Sequence, residues 1–230
     1  MIFDVFFLFS YHKNTHKTLQ KGTYSAVLKV QDNQNSPLFL KKKMILYSTS
    51  LMLMKLFLLM KSPIRRILRI QTPFFEGYII AKIEDNRLKG SFIQPSLDRI
   101  VPFEATKSSV RFLSTNAATK NITGNWETIF SENSADEKYI ALGIFNQKGK
   151  RVSGTFRTTT GDYRYLDGVV TGDSLKLSTF DGAHAFLFTA KITDSTMNGF
   201  FYSGNHWKEP FTAKLNNEYE LPNEENLTFI

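Results

Sequence analysis

From Thr123 to Lys214, short runs of alternating apolar and polar residues are cut repeatedly by Gly, Asn and Asp. A helix needs a longer uninterrupted stretch with a helical apolar period, and none is present there. The pattern predicts strands over 124–130, 138–146, 151–158, 162–170, 174–180, 183–192, 197–203 and 206–214. Short strands at even spacing, separated by turn residues, form an antiparallel meander that closes into a barrel or folds into a sandwich. The richness in Phe and Tyr fits this, because aromatic side chains pack well on a pleated, half-buried surface. The expected fold class is therefore all-β.

Upstream, residues 22–30 read as a strand with Tyr24, Ala26, Leu28 and Val30 on one face. Residues 75–106 read as a three-stranded meander, and 114–120 as a polar connector. Residues 216–230 are acidic, rich in Asn and interrupted by Pro222, as in a linker or a frayed end. Residues 1–20 open on an apolar run with Asp4 where an export signal carries a basic residue. A truncated or misstarted signal and a plain strand are both consistent with it.

Three blocks recur. Ala81-Lys-Ile-Glu-Asp-Asn-Arg-Leu-Lys-Gly-Ser-Phe matches Ala190-Lys-Ile-Thr-Asp-Ser-Thr-Met-Asn-Gly-Phe-Phe. Pro102-Phe-Glu-Ala matches Pro210-Phe-Thr-Ala, and Gly22-Thr-Tyr echoes Gly124-Asn-Trp. The offsets of 109, 108 and 102 residues predict two copies of one unit, 21–114 and 123–215.

Residues 38–70 break the first copy. They hold no Gly, Asp, Glu or Asn, and four of the six Met. The eight positive charges from Lys41 to Arg69 stand without an acidic residue between Asp32 and Glu76, so they account for the net charge of +8. A basicity this local does not point to nucleic acid. An irregular or helical basic segment near 41–70 is expected. It is a candidate for membrane-surface contact, being too short and too polar to span. An out-of-frame stretch is the other reading of so abrupt a change.

The chain has no cysteine, which excludes a disulfide framework, a thiolate nucleophile and a Cys-type metal site. His12 and His16 lack further ligands nearby, and no phosphate loop or nucleophile elbow is present. No catalytic, cofactor-binding or metal-ligating residue is expected. His184 should be a hydrogen-bonded barrel histidine on the strand face of Phe186 and Phe188, rather than a ligand. Asp162, Asp167, Asp173 and Asp181 adjoin Gly and read as turn residues. Trp126, Tyr163, Tyr165, Phe186, Tyr202 and Trp207 are either barrel-mouth or core aromatics. The candidate ligand or partner surface is Trp126, Tyr163, Tyr165, His184 and Trp207.

Residues 74–230 resemble the N-terminal β-domain of TlpA/ResA-like thiol-disulfide oxidoreductases of Bacteroidetes-type bacteria. The stretches that carry the resemblance are Gly124-Asn-Trp-Glu, Val152-Ser-Gly-Thr-Phe, Thr160-Gly-Asp-Tyr-Arg-Tyr-Leu-Asp-Gly, Phe180-Asp-Gly-Ala-His-Ala-Phe-Leu-Phe and Phe201-Tyr-Ser-Gly-Asn-His-Trp-Lys-Glu. In that family the β-domain precedes a thioredoxin-like domain with a Cys-x-x-Cys pair. The resemblance thus implies a non-catalytic accessory domain, truncated before the redox domain, working outside the cytoplasm beside a redox domain or an exported protein. A stand-alone barrel that binds a small apolar ligand is the alternative.

Overall fold

The computed structural model describes residues 22–42, 56–57, 67–72, 76–84, 87–114 and 116–222. Residues 1–21, with His12 and His16, lie outside it, as does most of the basic segment.

The first copy supplies β1 (Gly22–Lys29), β2 (Asn35–Lys42), β3 (Leu56–Phe57), β4 (Ile67–Gln71), β5 (Tyr78–Glu84), β6 (Arg87–Gln94) and β7 (Arg99–Lys107). They form one antiparallel sheet in the order β2-β1-β7-β6-β5-β4-β3. The expected alternation holds in β1, where Tyr24, Ala26, Leu28 and the following Val30 are buried. Where the atypical segment is described, at 38–42, 56–57 and 67–70, it is strand and not helix. Its Leu and Ile residues serve as alternate inward positions: Leu38 and Leu40 on β2, Leu68 and Ile70 on β4.

The second copy supplies β8 (Gly124–Phe130), β9 (Tyr139–Lys148), β10 (Arg151–Thr158), β11 (Gly161–Asp162), β12 (Leu166–Thr171), β13 (Ser174–Phe180), β14 (Ala185–Ile192), β15 (Thr196–Ser203) and β16 (Trp207–Leu215). β10 pairs with both β9 and β12, and β16 pairs with β8, so eight strands close on themselves, with β11 as a small flap on β10. Closure removes the exposed sheet edges that invite aggregation. Tight turns make it attainable. The two-residue loops Gly149-Lys150 and Gly172-Asp173 each put Gly, at φ 61° and 58°, where a β-branched or bulky residue would be strained. An eight-stranded barrel is just wide enough for side chains to fill it. Here Trp126, Phe130, Phe156, Phe188 and Phe211 do so, with Phe156 and Phe188 at 4.9 Å.

The two copies share their registers. Tyr24↔Lys107, Ala26↔Ala105 and Leu28↔Phe103 in β1–β7 correspond to Trp126↔Leu215, Thr128↔Ala213 and Phe130↔Phe211 in β8–β16. Ala81↔Gly90 corresponds to Ala190↔Gly199. A one-residue slip would turn every side chain to the other face, so this agreement reflects one buried pattern used twice. The seven strands of the first sheet match β9, β8, β16, β15, β14, β13 and β12 in order. The counterpart of β10 would fall at 43–55, outside the described residues.

Lacking closure among the described strands, the first sheet buries its inner face elsewhere. Leu28, Ile79, Phe92 and Phe103 share one core with Phe180, Ala185, Leu187 and Tyr202 from the outer face of the barrel. Phe92 meets Phe180 edge-on at 5.1 Å. Hydrogen bonds fix the contact. The Ser36 hydroxyl donates to Phe186 O at 3.0 Å, and the Ser178 hydroxyl donates to Pro37 O at 2.7 Å. Arg111 donates to Pro37 O, Ser178 O and Asp167 Oδ2. Burial lowers the Arg111 guanidinium from its ordinary value, and the Asp167 carboxylate works against that shift.

Two expectations change. Asp167 is not a turn residue: it sits inside β12, bridging Arg111 at 3.2 Å and Arg151 at 3.3 Å. Residues 216–222 are not a frayed end. Asn217 Oδ1 accepts from Asn125 N at 3.0 Å, and Leu221 is only 4% exposed, so this stretch is packed on the barrel. Residues 223–230 lie outside the described set.

Candidate functional site at the barrel mouth

The open end of the barrel near the β8–β9 connection holds a cavity of about 770 Å³. Its walls are aromatic, from Tyr163, Phe186, Phe201 and Trp207. Tyr163 meets Phe201 at 4.9 Å and Phe186 at 5.5 Å, both edge to face, the arrangement the ring quadrupoles favour.

The floor is polar. Glu209 is 4% exposed, and a carboxylate that deep must be hydrogen-bonded. It accepts from the Ser131 hydroxyl and from the Tyr139 hydroxyl, each at 2.7 Å. Tyr139 Oη lies 2.6 Å from Tyr163 Oη. An ionised carboxylate can only accept, so Tyr139 spends its single proton on Glu209. Tyr163 therefore donates to Tyr139, and its own lone pairs remain at the cavity. Burial, the neighbouring phenol and Glu209 push the Tyr139 hydroxyl far above the ordinary phenol range. Tyr163 is pushed up to about 12 by burial, partly offset by its bond with Tyr139.

Two short-range devices hold this floor. Ser131 sits directly after β8 at φ 48°, an uncommon conformation for a residue with a side chain, and its N–H donates to Pro210 O at 2.9 Å. The turn before β14 orients the rim. Asp181 Oδ1 accepts from the N–H groups of Ala183 and His184 at 2.8 and 2.6 Å, and its Oδ2 lies 3.0 Å from His184 Nδ1. Burial raises the Asp181 carboxyl, but these hydrogen bonds outweigh it and hold the group below the usual range. A carboxylate can only accept, so Nδ1 carries the proton in this contact and the ring is held in one orientation. The ring stacks on Phe186 with centroids 5.2 Å apart. His206, also at the rim, is lowered by burial and by the positive charges of Arg99 and His184.

Of the residues singled out in the sequence, Tyr163, His184, Phe186 and Trp207 converge on the cavity. His184 is hydrogen-bonded to Asp181, and it lies in the turn just before β14 rather than on the strand, with its ring stacked on Phe186. Trp126 is a core residue, 1% exposed, with its indole N–H donating to Ile122 O at 2.9 Å. Tyr202 packs outward into the core shared with the first sheet. Tyr165 is 93% exposed and does not line the cavity.

Sequence reasoning missed Tyr139, Glu209 and Ser131. A signal for two of them was present. Counting back by twos from Phe211 and Ala213 puts Glu209 inside, and counting back from Ala141 puts Tyr139 inside. Ser131 lies just past its strand, where the alternation stops.

The first copy does not repeat this chemistry. By register, Tyr139 corresponds to Ser36 and Glu209 to Val101. Among the described residues, no group of three or more His, Asp or Glu is placed to hold a metal, and no helix is long and apolar enough to cross a membrane. Comparison with known proteins adds no name: no family model, no curated protein and no solved structure matches this chain.

Proposed function

We propose that this chain is a non-catalytic binding module, the accessory β-half of an extracytoplasmic TlpA-like disulfide reductase system, and that the barrel mouth holds its protein partner. The observation that carries this reading is the asymmetry between the copies. A polar-floored aromatic cavity occurs at the mouth of the second copy, and the matching positions of the first are Ser36 and Val101. With no cysteine, the chain carries no thiol–disulfide chemistry of its own. The redox context rests on the resemblance of residues 74–230, including the mouth residues Tyr163, His184 and Trp207.

The test is kinetic. A Cys-x-x-Cys thioredoxin-like domain of that family is joined after the chain, and reduction of an oxidised exported protein is followed. The chain should lower KM for the protein substrate and leave the rate with a small disulfide unchanged. Equal KM with and without the chain would sink the proposal.

A second reading, a stand-alone barrel that binds a small ligand, is favoured by the cavity volume. The lumen is filled by aromatic side chains, so such a ligand would sit in the mouth rather than inside, unlike a lipocalin-type site. Stoichiometric binding of a small probe, with no effect on a partner domain, would select it.

A further inference from the structure

We propose that the barrel mouth is a site for a protonated primary amine, an alkyl- or arylalkylammonium group, seated against Tyr163 Oη between the aromatic walls. This rests on the reading of the mouth as the binding surface and names the chemistry it takes.

Three independent features point the same way. The first is hydrogen-bond polarity. Glu209 accepts from Ser131 and Tyr139, which forces Tyr163 to donate into the chain and present only lone pairs outward. An acceptor seated between aromatic walls calls for a ligand group that donates. An ammonium carries three N–H donors and no lone pair. At Tyr163 Oη a carboxylate or phosphate would meet acceptor against acceptor, and the donors an anion would need, such as Arg99, lie elsewhere on the lining.

The second feature is charge. The protein as a whole is at +8, but the carboxylates and guanidinium lining the cavity are Glu137, Asp162 and Glu209 against Arg99, a net of −2 before the histidines are counted. His206 is held toward its neutral form by burial and nearby positive charge. A local field opposite in sign to the whole molecule selects a cation at this end.

The third feature is the wall. Phe186, Phe201, Tyr163 and Trp207 surround the cavity, and aromatic faces attract ammonium groups through the ring quadrupole. The rings also cover the carbon stem of the amine. Such a group comes from two sources, a free small amine or a lysine or N-terminus of a protein, and one experiment separates them.

The full chain, isotopically labelled, is titrated with benzylammonium, benzyl alcohol, benzoate and a capped pentapeptide bearing one lysine, and amide shifts are followed by NMR. An ammonium probe should shift amides of residues 184–187 and 200–209 and bind at least about tenfold tighter than benzyl alcohol, with benzoate weaker still. Whichever of benzylammonium and the lysine peptide binds tighter names the source. Tyr163→Phe keeps the ring and removes the acceptor, and should weaken the ammonium by about tenfold in a chain whose amide spectrum is still that of the folded protein, with a small fall in melting temperature from the lost bond to Tyr139. Glu209→Gln is the harsher variant and is read only if its spectrum shows a folded chain. Benzyl alcohol or benzoate binding as tightly as benzylammonium would overturn the ammonium assignment while leaving the mouth a binding site. So would Tyr163→Phe binding with wild-type affinity. Silence from all four probes would also overturn it, and the partner-dependent KM described above would then decide the mouth on its own.

Discussion

The two halves of this protein use one strand register in two ways. In the second, β10 joins β9 to β12, the sheet closes, and Phe130, Phe156, Phe188 and Phe211 fill the interior. In the first, the seven matching strands do not close among the described residues, and the inner face is covered by the outer face of β13, β14 and β15. Both faces of β14 are therefore buried: Leu187 packs toward the open sheet and Phe188 into the barrel. The ends diverge with the faces. Phe186 walls the mouth of the barrel; the corresponding position in the first copy is Gly77, where an added Cβ would lie 2.9 Å from Gly182 O of the second copy. Ser36, the counterpart of Tyr139, donates across to Phe186 O. One end leaves a cavity, and the matching end of the first sheet packs against the other copy. The difference teaches that a repeated register fixes pairing, while the residues at one end decide whether that end leaves a cavity or packs against its own twin.

The largest expected effect separates the cores. Phe130→Ala removes a ring that stacks on Tyr139 at 4.7 Å and meets Phe156 and Phe211, and should cost ~3–5 kcal/mol by chemical denaturation. Leu28→Ala, the matching position of the open sheet, should cost ~2–4 kcal/mol. A larger loss for Leu28 would reverse the ranking of the two cores.

Arg111→Ala tests the seam. It removes charged hydrogen bonds to Pro37 O and Ser178 and should cost ~2 kcal/mol. Amide exchange should rise in β1 and β2 while β12–β16 stay protected. Equal loss in both halves would mean that the copies unfold as one unit.

Gly90→Ala and Gly199→Ala test the shared register directly. In each copy an added Cβ would meet a carbonyl oxygen of the neighbouring strand, Ile80 O at 1.9 Å and Thr189 O at 2.0 Å. Each should cost ~1–3 kcal/mol, and the two should agree within about 1 kcal/mol. A free ride for either one would break the equivalence.

The smallest effect is confined to the mouth. Tyr163 has a folded-state pKa raised to about 12, above the ordinary value of 10.0. A raised pKa stabilises the fold fully below the unfolded value, and that contribution is lost as pH rises from 10 toward 12. Phenolate absorbance from Tyr163 should therefore appear only near pH 12 or together with unfolding. The depressed Asp181 carboxyl acts in the opposite sense: its contribution is present above the ordinary carboxyl value and lost as pH falls below it.

The strands of the second copy were legible because a two-residue period punctuated by Gly and Asp leaves few other folds. Gly172-Asp173 and Asp181-Gly182 proved to be turns. Three short blocks suggested a repeat in the sequence, and the strand registers at those blocks correspond. Closure was legible only as one of two outcomes, barrel or sandwich, because the β8–β16 pairing that joins first strand to last is decided by geometry across the whole barrel. The strand character of 38–42 and 67–70 was hidden by composition: Leu and Ile in a Gly-free run look helical until a neighbouring strand supplies the alternation. At the site, Tyr163, His184 and Trp207 could be named as candidates from their aromatic neighbourhood. Glu209 was obscured, since a carboxylate between Lys208 and Pro210 reads as surface, although the period from Phe211 points it inward. Arg111 carried no local signal, because its partners lie 56 to 74 residues away in the sequence.

The central claim is that the mouth of the second copy is the working surface. Its most direct test compares two exposed aromatics of that copy in the joined protein, Trp207 at the cavity and Tyr165 away from it. Trp207→Ala should raise KM for the oxidised protein substrate by about tenfold with kcat unchanged, and Tyr165→Ala should leave both constants alone. Equal effects of the two substitutions, or none from Trp207→Ala, would contradict the claim.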